Sequence, residues 1–83
     1  MHCQVYASQR KTGAYLWATG AQVLEDLPDA LQELLGALRL VMEIKLEPSR
    51  KLPRENPREV LANLRTQGWH LQMPATEPDN APM

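Results

Sequence analysis

Cys3 with His2 or His70 is the one pairing in this chain from which a nucleophile and its base could be assembled. A thiolate nucleophile needs a depressed pKa, supplied by a neighbouring cation or a helix N-terminus. Cys3 instead alternates with Val5 and Ala7 in a strand-like run, the setting of a small packing residue. We therefore expect Cys3 to be structural and assign no catalytic residue. The two histidines have no short helical or hairpin pairing and no evident carboxylate partner, so both are expected at the surface and neither is assigned to a metal. Lys11, Thr12 and Gly13 superficially resemble the end of a phosphate-binding loop, but the glycine run that would cradle phosphate ahead of the lysine is missing. No cofactor is expected.

The second candidate is electrostatic. Arg50, Lys51, Arg54 and Arg58, extended by Arg10 and Lys11, could grip a nucleic-acid backbone while Trp17, Trp69 or Tyr15 offers a stacking face. Glu47, Glu55 and Glu59 are interleaved with these cations, which is also the mixture of an ordinary solvated face. The aromatic residues have a competing use as core, because the chain has no phenylalanine to fill space. An exposed tryptophan would instead anchor a protein partner, since aromatic and arginine side chains dominate interface energetics.

These residues must be positioned by one small domain. The 83 residues leave no room for a second core, and a chain of this size buries only about 60 to 65% of its unfolded surface. A single cysteine forms no intramolecular disulfide and suits a reducing compartment. The net charge of −1 gives no global reason to seek nucleic acid or an anionic membrane. Its distribution is uneven, with Glu25, Asp26, Asp29 and Glu33 early and the basic cluster late. There is no long apolar run, and Met1 to Tyr6 lacks the pattern of a signal peptide, so a soluble cytoplasmic protein with no membrane contact is expected.

Along the chain, Cys3, Val5 and Ala7 alternate with Gln4, Tyr6 and Ser8, predicting a first strand over His2 to Ser8. The polar stretch from Gln9 to Ala14 reads as a turn, and Tyr15 to Ala18 as the second strand of a hairpin. Both faces of that strand are partly apolar, which calls for cover on both. Leu27, Leu31, Leu34 and Leu35 recur at helical spacing, with Asp26 as the expected cap and Gly36 as the stop. Arg39 to Leu46 then alternates, with Leu40, Met42, Ile44 and Leu46 opposite Val41, Glu43 and Lys45, predicting a half-buried third strand. Glu47 to Glu55 reads as a loop pinned at Leu52. Asn56, Pro57 and Glu59 supply a cap, a first-turn proline and a capping-box residue for a second helix, with Val60, Leu61 and Leu64 on its apolar face. Gly68 ends it. Trp69, Leu71 and Met73 then alternate with His70 and Gln72 in a last strand, and Pro74 stops it. The order strand, strand, helix, strand, helix, strand describes a single α/β (α+β) domain over residues 1–74, followed by a proline-rich segment, 75–83, expected to be flexible.

The chain also resembles the YcgL family of small bacterial proteins. The residues that carry the resemblance are Met1, Cys3, Val5, Tyr6 and Ser8; Arg10, Lys11, Tyr15 and Leu16; Pro28, Leu31 and Gly36; Leu46 and the triplet Arg50, Lys51, Leu52; and the run from Gly68 to Pro74. Pro53 and Asn56 stand where alanine and aspartate are expected, and Trp69 and His70 where two tyrosines are usual. The resemblance implies a compact domain with helices packed on both faces of a small sheet. It brings no assigned activity and no catalytic residues to carry over. The functional expectation is a non-catalytic cytoplasmic binding or adaptor module, with a protein partner favoured over nucleic acid. The alternative is RNA or DNA contact through Arg10, Lys11, Arg50, Lys51, Arg54 and Arg58, and a second alternative is a Cys3-dependent enzyme.

Overall fold

In the computed structural model, which describes residues 1–50, 52 and 55–74, the two N-terminal strands form the centre of the sheet. Strand β1 (His2–Ser8) pairs antiparallel with β2 (Tyr15–Ala18), Val5 lying opposite Trp17. β3 (Leu38–Lys45) adds antiparallel to the outer side of β1, and β4 (Trp69–Gln72) to the outer side of β2, giving the order β3-β1-β2-β4. A 3-10 helix (Ala21–Asp26) and helix α1 (Asp29–Leu35) follow the hairpin, and helix α2 (Pro57–Gln67) precedes β4. The expected order is present, with the 3-10 helix as an addition that no apolar period announces.

The sheet is apolar on both faces because its central strands alternate between two cores. Cys3, Val5 and Trp17 point to one face, where Leu46 and the α2 residues Val60, Leu61 and Leu64 cover them. Tyr6, Leu16 and Ala18 point to the other, under Leu27 and Leu35, with Trp69 and Leu71 of β4 packed beside them. The domain is thus an α+β unit with helices on both faces.

Two expectations are corrected. Asp26 is not the cap of α1: it closes the 3-10 helix, and Pro28 occupies the cap position, its carbonyl accepting from Leu31 and Gln32 at 3.0 Å each. β3 is not evenly half-buried. Val5 lies opposite Met42 but Tyr6 opposite Leu40, so Val41 is an extra residue, a β-bulge, and the alternation reverses across it. Leu38 and Leu40 therefore go to the α1 face and Met42 and Ile44 to the α2 face.

The C-terminal end of α1 is satisfied by the hairpin turn. The buried Ser8 hydroxyl donates to the Leu35 carbonyl at 2.6 Å and accepts from the Lys11 amide at 2.9 Å, while the Gln9 amide donates to Ala37 at 2.9 Å. The bond to Leu35 engages a carbonyl that a helix end leaves without an intrahelical donor, and the bond to Ala37 ties the turn to the residue past the Gly36 cap. At the start of α2, the Asn56 side chain accepts from the Arg58 amide at 2.9 Å, as the cap signals require. Gly68 ends α2 with φ 88°, its amide donating to Leu64 at 3.0 Å, and a β-carbon there would sit 3.3 Å from a methyl of Val23. Gly68→Ala is therefore expected to lower unfolding free energy in urea titrations by about 1–2 kcal/mol, the cost of a left-handed backbone for a residue with a β-carbon.

Candidate functional site

The α2 face is not fully closed. α2 lies over β4, and the chain segment after β3 crosses the remainder, with Leu46 buried and Leu52 packed against the same core. Between this segment and the sheet a groove of about 440 Å³ stays open. Its floor is Val5 and Ala7 of β1 with Tyr15 and Trp17 of β2. One wall is β3, through Arg39, Val41, Met42 and Ile44; the other is Arg50 and Leu52. Gln72 of β4 closes one end and accepts from the Trp17 indole N–H at 3.0 Å.

The bulge gives this wall its chemistry. Under strict alternation Arg39 and Val41 would share their face with Glu43 and Lys45. Beyond Val41 the face is held instead by Met42 and Ile44, while Glu43 pairs with Gln4 on the opposite side. Among the described residues the lining thus contains two arginines and no carboxylate. Among the described residues neither guanidinium is ion-paired. Val41 is 37% exposed, Met42 53% and, on the other face of the same edge strand, Leu40 46%.

Of the described basic residues singled out from sequence, Arg50 lines the groove and Arg10, Lys11 and Arg58 do not. Arg10 is turned onto α1: its Nη1 donates to the Glu33 carbonyl at 2.5 Å and its amide to Leu35 at 3.3 Å, a cation on the negative end of the helix. Lys11 sits in the same hairpin turn through its amide bond to Ser8. Arg58 is exposed in the first turn of α2. Lys51 and Arg54 lie outside the described residues, as does the segment 75–83 expected to be flexible. Arg39, which the sequence reading passed over, joins Arg50. Its signal was its place at the head of an alternating strand, but the bulge that decides its neighbours leaves no mark in the alternation.

Cys3 is 3% exposed, and burial pushes its thiol above the ordinary value, against the opposing influence of the N-terminal ammonium and Arg50. His70 is not at the surface: it is 8% exposed on the α2 face of β4, opposite Trp17. The position alternates with Trp69 and Leu71, and α2 covers it. The Asn63 amide nitrogen lies 2.9 Å from His70 Nδ1; since an amide nitrogen only donates, Nδ1 accepts and Nε2–H faces Glu55 Oε1 at 2.5 Å. β2 separates Cys3 from His70, and two strand spacings amount to about 10 Å. This pair is not arranged as nucleophile and base. Among the described residues no group of three or more His, Cys, Asp or Glu side chains could hold a metal ion, and no helix is long and apolar enough to cross a membrane.

Fold and groove together define a small antiparallel α+β domain, helix-covered on both faces, with one apolar cleft rimmed by arginine. A family model described as YcgL domain matches residues 3–75, so the chain belongs to the YcgL domain family. A YcgL domain-containing protein of Stutzerimonas stutzeri (strain A1501) is 44% identical over 75 residues, covering 90% of this chain and 77% of that protein. One from Pseudomonas fluorescens (strain SBW25) is 43% identical over the same shares, and one from Pseudomonas entomophila (strain L48) is 42% identical over 93% of this chain and 79% of that protein.

His70→Leu strands the side chains of Glu55 and Asn63 and is expected to cost about 1–3 kcal/mol in urea denaturation, the penalty for unpaired polar groups under a helix. Cys3 is expected to react with iodoacetamide in the native protein at least about a hundredfold more slowly than in urea, as an opening free energy near 3 kcal/mol requires. Because the folded thiol ionises at higher pH than the unfolded one, Cys3 leaves stability constant below the ordinary thiol range. Stability then falls as pH climbs above about 8.5, readable as a declining urea midpoint absent from Cys3→Ala.

Proposed function

We propose that the chain is a non-catalytic, cytoplasmic binding or adaptor module that docks a protein partner in the groove beside β3. The observation that carries this reading is the exposed apolar wall of Val41 and Met42 facing a preformed cleft with two guanidinium groups that have no ion pair among the described residues. Apolar surface rimmed by arginine is the composition of protein interfaces, where a few such side chains supply most of the affinity. A cytoplasmic setting fits a chain whose one cysteine is a buried free thiol. A Cys3-dependent reaction finds no support in a buried thiol whose pKa is raised.

Nucleic-acid contact is the weaker reading. Trp17 is buried with its indole N–H committed to Gln72, so it presents no open face for a base. Arg10 is occupied with the α1 carbonyls while Arg50 lines the groove on the α2 face, so the basic set is divided between the two faces of the sheet.

Selection of displayed random peptides on the immobilised protein tests the docking site. Selected peptides are expected to bind wild type and to weaken at least about tenfold, near 1.4 kcal/mol, on Met42→Asp, while Ala62→Asp on the outer surface of α2 leaves them unchanged. Met42 is exposed, so the variant should retain the wild-type melting curve. Peptides that ignore Met42→Asp would place docking elsewhere. Single-stranded RNA binding that falls steeply with salt and exceeds every peptide would transfer the function to nucleic acid.

A further inference from the structure

We propose that the partner contributes an extended, apolar segment bearing a carboxylate, which adds as a strand to the free edge of β3 and sets its acidic side chain between Arg39 and Arg50. This deepens the docking reading above and rests on it.

The edge comes first. β3 has eight residues, pairs with β1 on one side and, among the described residues, has no strand on the other. An edge strand presents unpaired backbone donors and acceptors, which proteins ordinarily blunt with charge, proline or cover. β3 carries a bulge and the charged Arg39, Glu43 and Lys45, yet between them Leu40, Val41 and Met42 are three consecutive exposed apolar residues. They are split between the faces, Leu40 toward α1 and Met42 toward α2. A ligand lying only in the groove would cover Val41 and Met42 and leave Leu40 wet. A strand added to the edge places side chains on both faces and covers all three, the mode in which backbone bonds supply affinity and flanking pockets supply choice.

The charge comes second. Arg39 and Arg50 line the groove with no carboxylate beside them among the described residues, although the chain as a whole carries a net charge of −1. A guanidinium makes paired, charge-assisted bonds to a carboxylate, and two of them flanking an apolar wall select an acidic side chain set among greasy ones. A second copy of this chain is a poor occupant. Its β3 would bring Arg39 and Lys45 against one Glu43, adding positive charge to a positive wall.

Eight-residue peptides alternating valine and threonine provide the probe, in three versions carrying two aspartates, two asparagines or two lysines at the same positions. Fluorescence anisotropy should show the aspartate peptide binding about tenfold or more tightly than the asparagine one, and losing that margin on Arg39→Glu with Arg50→Glu. The lysine peptide should bind the doubly reversed protein better than wild type, a gain that misfolding cannot produce. Hydrogen exchange of β3 amides should slow when the aspartate peptide is added. Equal affinity for the aspartate and asparagine peptides overturns the acidic specificity, and unchanged β3 exchange overturns strand addition; either leaves docking in the groove standing if Met42→Asp still weakens binding. Binding that ignores Met42→Asp, or is absent for all three peptides and for every selected one, overturns the docking reading itself. Slow β3 exchange without peptide, together with a dimer in sedimentation, assigns the edge to a second copy and overturns the proposal.

Discussion

The register shift in β3 is the constraint on which the groove depends. One extra residue at Val41 reverses which side chains face α2, and with it the character of the sheet's outer quarter. A regular strand would send Glu43 and Lys45 to the face that α2 and Leu46 are closing, setting a carboxylate among Val5, Cys3 and Trp17. Burying charge there would cost more than the apolar contacts return. The bulge lets one edge strand serve both cores, Leu38 packing under α1 and Ile44 under α2, and leaves the two charged residues exposed on the side opposite α2. The groove is what remains of the α2 face once that exchange is made.

Chain length sets how much of that face can be closed. The α1 face has a 3-10 helix, a helix and two half-buried β4 side chains to cover it. The α2 face has one helix of eleven residues and the segment from Leu46 to Leu52. A domain this small has little apolar material to spare, so the part of the α2 face that the helix does not reach is covered by single residues and not by an element. Exposure of Val41 and Met42 follows from this shortage together with the bulge.

Much of the fold was legible because local signals agree with the tertiary result. Asn56, Pro57 and Gly68 bracket α2, and strand alternation places Val5 and Trp17 in one core and Tyr6 and Leu16 in the other. The misses are of a different kind. The reversal at Val41 is set by pairing with β1, since Leu40, Met42 and Ile44 keep perfect alternation in the sequence while the structure divides them. The sequence offers His70 no nearby carboxylate and so points to an exposed ring, but its partner Glu55 lies fifteen residues away across α2, a separation that only the packing of helix on strand closes. Arg10 was grouped with the basic loop by charge alone, and its use on the α1 carbonyls depends on the hairpin turn folding onto that helix. Of the six basic candidates, Arg50 lines the groove, and the arginine it meets there was visible only as one residue of a strand.

The Glu55–His70–Asn63 chain acquires a purpose in this light. Glu55 is the last residue before the α2 cap, at the end of the segment that carries Arg50 and Leu52. Leu52 supplies an apolar contact from within the segment, and the bond from His70 to Glu55 supplies a polar one at its end, with Asn63 holding the imidazole in the required orientation. Leu52 itself lines the groove, so the first of these contacts fixes a lining side chain on the core. A lining residue already packed need not lose its conformational freedom on association, so more of the contact energy at Val41, Met42 and the two arginines remains as affinity. The buried histidine has its use in the fold: it ties Glu55 and Asn63 to β4.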